Sequence, residues 1–305
     1  MAFDRIRHRL LQGRPLVIDS DTCASFRTHG VHVDSPGAVG VLLRESPADV
    51  LRHYRNEVLN RVDVLRALTA DTTPRALAEV GMDYRAAALT GRAVDLAFEA
   101  AEAGPKPVAV AGVLGSEMVG PLAAGRLQEE YTEHALRLAA AGCELLIARG
   151  QGSRLELTSA VVAALETGLP TWAVIECSSE GTPIIDGAIS EVVLELGESG
   201  VGVMLFEVPS IEYGVAQLQQ FKTVGSKRLV PGVLLAGGRD SVRGFPDESS
   251  SPGLWARDAL DLDANGARAI GGGAGSTEEH TALLAQALGE LHPSIPAPRP
   301  SHTPG

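Results

Sequence analysis

The sequence predicts an α/β fold, a (β/α)8 TIM barrel in a single domain, on three observations. Short apolar runs alternate with longer segments that carry helix-start and helix-stop chemistry. About eight such runs fall within about 290 residues, which favours a closed barrel over a doubly wound sheet. The runs are continuously apolar rather than alternating, as in strands of a parallel sheet covered on both faces.

The elements follow in order. Leu16-Val17-Ile18-Asp19 is the first run, and Val62 to Thr69 is the second and least apolar. Pro107 to Val113, Glu144 to Ala148, Thr171 to Ile175 and Val201 to Phe206 come next, then Gly232 to Ala236 and Arg268 to Gly271. Ser46-Pro47 opens a helical segment carrying Val50, Leu51, Tyr54, Val58 and Leu59, and Thr73-Pro74 repeats the arrangement. Proline suits the first helical position, where its missing N–H is not needed. Ser153 with Glu156, and Ser276 with Glu279, have capping-box spacing. Gly104, Gly142, Gly168, Gly200 and Gly266 mark helix ends. The barrel domain is expected over 1–292, with a long loop from Gly237 to Gly253. The tail 293–305, holding Pro293, Pro296, Pro298, Pro300 and Pro304, is expected to be disordered.

Composition narrows the function classes. The 305 residues are 45% apolar and 21% charged, an ordinary globular balance. A net charge of −12 disfavours nucleic acid and anionic membrane as partners. Three cysteines exclude a disulfide scaffold. The N-terminus lacks the apolar core of a signal peptide, and no apolar run has the length of a membrane span, so a cytoplasmic protein is expected. Homo-oligomerisation stays open.

In a barrel the chemistry sits at the C-terminal ends of the strands. Read in turn, those ends offer Asp19, Ser20 and Asp21; Thr69 and Asp71; Ser116; Arg149; Glu176; Glu207; Arg239 and Asp240; and the run Gly271 to Thr277. Asp71, Glu207 and Asp19 are the candidate catalytic carboxylates, as general bases or as partners for a cation. Arg149 and Arg239 have the fork that clamps a carboxylate bidentately. A purely structural ion pair between Arg149 and Asp19, Asp71 or Glu207 is the alternative. The glycine run leads into a helix, whose first N–H groups form an anion site; a tight packing turn is the alternative. Cys23 and Cys177 follow the first and fifth strands and are placed towards the mouth, while Cys143 precedes a strand and belongs in the core. With no Cys-X-X-Cys pair, and only His29 and His32 sharing a loop, the cysteines fall short of a closed zinc site.

These strand ends, taken in order, resemble the homocysteine S-methyltransferase family, zinc-dependent TIM-barrel enzymes that methylate a thiol. Val17-Ile18-Asp19-Ser20-Asp21 resembles its opening apolar-Asp-Gly-Gly strand, and Val108 to Ser116 its Val-Ala-Gly-Ser-Leu-Gly-Pro strand. Tyr131 with Leu138 to Ile147 resembles its Tyr…Leu…Ala-Gly-Val-Asp-Leu-Ile segment. Val201-Gly202-Val203-Met204-Leu205 resembles its Val-Gly-Val-Asn-Cys. Trp255, the run Ile270 to Thr277 and His280 resemble its Trp, its Ile-Gly-Gly-Cys-Cys-Gly-Thr-Thr and the His that follows. The resemblance covers roughly 15–290 and implies the barrel. It also implies that the family's three zinc cysteines fall on Leu205, Gly273 and Ala274, and that the family glutamate after the fourth strand falls on Arg149.

Those departures shape the functional reading. Zinc delivers a bound thiolate; without it a thiol with pKa near about 8.5 stays mostly protonated at pH 7. The expected activity is zinc-independent methyl transfer to a small polar, amino-acid-like acceptor. Asp71, Asp19 or Glu207 would serve as base or as partner of the donor's cation. Substrate would be bound by Arg149, Asp21, Thr69, Ser116, Glu176, Gly273 and Ala274. No tightly bound cofactor is expected; the donor would be of the S-methylmethionine or S-adenosylmethionine kind. An inactive homologue that binds a small anion or supports another protein is the alternative, with a lyase or hydrolase beside it. A zinc relocated to Cys23 and Cys177 plus a histidine is a further reading.

Overall fold

The computed structural model describes residues 2–115, 122–150, 152–226, 228–238 and 251–292. Eight strands, all paired in parallel, close in sequence order: β1 (Leu16–Ile18), β2 (Val64–Arg66), β3 (Ala109–Leu114), β4 (Leu145–Arg149), β5 (Thr171–Glu176), β6 (Val203–Val208), β7 (Val230–Leu235) and β8 (Ala269–Gly272). β8 returns to β1 through Leu16↔Ala269, Val17↔Ile270 and Ile18↔Gly271, so the sheet has no edge.

Every expected run became a strand, but β2 is shorter than the run from Val62 to Thr69. Side chains replace the backbone ladder at both of its ends. The buried Asp63 carboxylate accepts the Val17 N–H (3.0 Å), and Thr69 Oγ1 accepts the Val113 N–H (2.9 Å).

Helices form the outer ring. α1 (Ala2–Leu11) precedes β1. Between β1 and β2 lie α2 (Thr22–Thr28), α3 (Ala38–Glu45) and α4 (Pro47–Leu59). α5 (Pro74–Ala78), a 3-10 turn and α6 (Ala86–Glu102) lead to β3. α7 (Ala124–Ala140), α8 (Arg154–Glu166), α9 (Ile189–Ser199), α10 (Ile211–Val224), α11 (Pro252–Ala264) and α12 (Glu278–Leu291) alternate with the remaining strands. Thr73 and Ser153 cap their helices through the Ala76 and Glu156 N–H groups. The expected Ser276–Glu279 box is displaced by one residue: Thr277 and His280 form it, because Ser276 Oγ is turned inward to donate to Gly273 O.

Two apolar layers result. The barrel interior holds residues of one parity, including Ile18, Val64, Ala111, Ile147, Val174 and Leu205. The other parity packs on the helices. α1 closes the N-terminal end of the barrel, with the fully buried Ile6 seated in the interior layer. Glu144 holds the start of α1 by accepting the Ala2 N–H (3.1 Å). The tail 293–305 and most of the loop from Gly237 to Gly253 lie outside the described residues. No helix among the described residues is long and apolar enough to cross a membrane.

Candidate functional site at the barrel mouth

The parity that fills the interior also aims charge at its C-terminal end. Side chains alternate along a strand, so Leu145 and Ile147 on β4 are followed by an inward Arg149. Trp172 and Val174 lead to Glu176, and Val203 and Leu205 lead to Glu207. Register sets Glu176 directly beside Glu207. Arg149 Nη2 donates to Glu176 Oε1 (2.8 Å) and to Glu207 Oε2 (2.5 Å). Glu207 Oε1 accepts the Ala274 N–H (3.0 Å). Two carboxylates therefore surround one guanidinium, and Glu207 is only 2% exposed. Ion pairing at this depth holds Arg149 in place, so a bidentate clamp on substrate is not its resting arrangement.

A cavity of about 120 Å³ opens beside this cluster. Asp21, Thr69, Asp71, Arg149, Glu207 and Gly273 line it, together with Ser20, Cys23 and Arg66. It holds roughly four water volumes, enough for a small polar group.

Other candidate residues have different surroundings. Asp19 is wholly buried and lies behind the cavity wall. It accepts Arg66 Nε (2.7 Å) and the Arg66 N–H (2.9 Å). The same Arg66 reaches the carbonyls of Asp19, Ser20 and Gly272 at 2.8 Å. Asp19 thus positions Arg66 and stitches β1, β2 and β8. Burial pushes the Asp19 carboxyl up, against the lowering pull of Arg66. Thr69 lines the cavity, but its hydroxyl is committed to the Val113 backbone and its carbonyl to His134 Nε2 (3.0 Å). Burial brings His134 down to about 4, so it is a neutral imidazole at pH 7. Ser116, Arg239 and Asp240 lie outside the described residues.

The glycine run does not present an open anion site, because the chain's own carboxylates fill it. Glu207 takes the Ala274 N–H, and Asp21 Oδ2 takes the Gly275 N–H (3.2 Å). Asp21 also caps α2 through the Cys23 N–H (3.0 Å) and pairs with Arg27 (3.1 Å). Gly273 still borders the cavity, whereas Ala274 is fully buried.

The cysteines are not brought together. Cys23 borders the mouth, but Cys177 has the outward parity and packs with the helix layer. Burial raises the Cys177 thiol to about 12, and Cys143, in the core, is likewise raised to about 12. Among the described residues no three His, Cys, Asp or Glu side chains converge as a metal set.

Sequence reasoning missed Arg66, and also a polar network behind β1. Ser20 donates through both its N–H and its hydroxyl to Glu57 Oε1 on α4, and His53 on α4 bonds Glu278 of α12 (2.7 Å). Burial raises Glu57 to about 7. The available signal was charge at core positions: Arg66 shares the parity of Val64, and His53 and Glu57 share the buried face of Val50, Tyr54 and Val58.

Comparison with known proteins places this geometry. A family model described as homocysteine S-methyltransferase matches residues 22–288. The chain is similar in structure to the homocysteine methyltransferase MmuM from Escherichia coli, in its oxidised form (TM-score 0.77, 20% identity) and its metallated form (TM-score 0.77, 22% identity). Both matches cover 92% of this chain and 99% of that one. A 3-dehydroquinate dehydratase from Geobacillus kaustophilus HTA426 also matches (TM-score 0.52, 11% identity, 92% of this chain and 93% of that one). At such identities the structural likeness establishes the barrel. No curated protein sequence matches.

Proposed function

This chain belongs to the homocysteine S-methyltransferase family, and we propose that it transfers a methyl group, without zinc, to a small polar acceptor other than a thiol. The observation that carries this reading is the chemistry at the three positions where the family resemblance expects thiolates. Leu205 offers hydrocarbon, Gly273 a hydrogen and Ala274 a methyl, none of which can ligate a metal. Leu205 is fully buried in the interior layer, and a Cβ on Gly273 would come within 3.0 Å of Leu234 O. Beside them Glu207 joins the Ala274 N–H to Arg149. The residues there do not fit a zinc ion.

Methyl transfer by in-line displacement needs positioning and electrostatics more than a metal. A donor of the S-methylmethionine or S-adenosylmethionine kind carries a sulfonium. The excess of carboxylate at the mouth, from Glu176, Glu207 and Asp71, attracts that cation. The acceptor's oxygen or nitrogen lone pair forms the new bond to the methyl carbon. The carbon–sulfur pair stays on sulfur, leaving a neutral thioether. Asp71, at the cavity wall, takes the acceptor's proton, and Arg66 and Arg149 orient an acceptor carboxylate. Donor and acceptor both come and go, so no tightly bound cofactor is required.

The test joins elemental analysis to a methyl-transfer assay over amine and carboxylate acceptors. Expected are zinc far below one per chain, chelator-insensitive turnover and loss of turnover in Asp71→Asn. One zinc per chain with chelator-sensitive methylation of homocysteine would overturn the reading. The small cavity and the internally committed Glu207 and Asp21 favour a second reading, an inactive homologue. Absence of turnover with every donor, in protein that binds neither donor nor acceptor, would select it.

A further inference from the structure

Among the described residues, a second cavity is larger than the one at the mouth. A recess of about 770 Å³ lies at the opposite, N-terminal end of the barrel, between α1, the end of α4 and the end of α12. Arg5, Arg9, Arg14, Arg61 and Lys106 line it, against the carboxylates Asp63 and Glu290. We propose that this recess binds a compact phosphate-class polyanion, an inorganic diphosphate or an organic di- or triphosphate, as a ligand that stabilises the barrel from below.

The first support is the local charge balance. Three cations converge on the one buried Asp63: Arg9 at 2.6 Å, Lys106 at 2.7 Å and Arg5 at 3.5 Å. The ends of α1, α4 and α12 also face this side, and each contributes about −0.5 of an elementary charge. Five cations against two carboxylates leave a surplus of three, which the three helix ends reduce to about +1.5. The excess stands out on a chain whose net charge is −12. That overall charge disfavours a nucleic acid or an anionic membrane. A concave recess with several guanidiniums suits the bidentate geometry of phosphate.

Two further observations point the same way. Burial, with Arg5 and Arg9 alongside, brings the Lys106 ammonium down to about 8 in spite of Asp63. A bound anion would relieve that potential. Arg61 is the one non-glycine residue with positive φ among the described residues (68°), and it is solvent-exposed just past α4. Glycine would adopt this backbone without strain, so an arginine there places charge at the rim against the local preference.

The experiment is thermal denaturation at fixed ionic strength with inorganic diphosphate, ADP or sulfate as the titrant. Wild type is compared with an Arg5→Gln, Arg61→Gly double variant and an Arg126→Gln surface control. Glycine at 61 removes the cation while easing the backbone, so the variant is expected to fold. Diphosphate or ADP should raise Tm saturably beyond sulfate. The apparent affinity should fall at least ~10-fold in the double variant and stay unchanged in the control. Tighter binding of diphosphate identifies an inorganic ligand, and tighter binding of ADP an organic one. A shift no larger than that of sulfate, or equal affinity in wild type and the double variant, overturns the proposal.

Discussion

Arg149 is almost buried between two glutamates, so its stability effect is governed by what is left when it is removed. Arg149→Met keeps the stem and deletes the cation. Glu207, 2% exposed, then loses its buried ion pair and stands beside Glu176. Breaking a buried pair from one side costs about 3–5 kcal/mol, because a buried charge is left uncompensated. Urea denaturation should show that loss in Arg149→Met and partial recovery when Glu207→Gln is added. An unchanged midpoint in the single variant would mean that the pair contributes nothing. Arg149 and Glu207 were legible in the sequence because each extends an apolar strand by the right parity. Arg66 was hidden inside the least apolar run. Its partner Asp19 lies 47 residues away, a distance that no local pattern spans.

The β8 end and the turn into α12 show the same limit at the level of an element. The glycine run was legible, and its reading as a packing turn matches the geometry. A Cβ on Gly272 would meet Ser276 Oγ at 2.1 Å and the Ser20 Cα at 2.9 Å. Gly272→Ala should therefore force the β8–β1 seam apart and cost about 1–3 kcal/mol, read as a lower urea midpoint; an unchanged midpoint would show that the seam yields freely. The reading of the same turn as an anion site failed because its N–H groups are taken by Asp21 and Glu207, 254 and 67 residues away. Local sequence displays the donors but not the acceptors that reach them through the closed barrel. The alternation of strand and helix was legible because each unit carries its own periodicity and caps. α2 and α3 were not, since 7 and 8 residues are too few to show a helical repeat, while α5, of 5 residues, was marked only by its Thr73-Pro74 start.

Closure of the whole barrel ties its stability to pH through the network between β1, α4 and α12. Glu57 is raised to about 7 by burial. His53 is also raised: burial lowers it, and its bond to Glu278 with the charges of Glu57, Glu278 and Asp19 more than offsets that. Phe26 and Tyr54 are its uncharged ring neighbours. Glu278, bonded to His53, is lowered to about 2 despite its own burial. Below its ordinary value of 4.5, Glu57 is protonated in both folded and unfolded chains. As pH rises to about 7 the unfolded chain ionises while the folded one keeps the proton, so folding loses stability. His53 acts in the same direction: its contribution is full below 6.5 and lost as pH rises through its higher folded value. Glu278 acts oppositely but only in acid, its contribution fading as pH falls from 4.5 towards 2. Glu57→Gln keeps an oxygen for Ser20 and removes the ionisation. Its stability advantage over wild type should grow between pH 5 and 7, by at most about 1.4 kcal/mol per pH unit for one proton, and level off above. Urea melts of both proteins at pH 5, 6, 7 and 8 measure the gap directly. A gap independent of pH would mean that Glu57 ionises as freely in the folded barrel as in the open chain, and that the seam between α4 and α12 admits water.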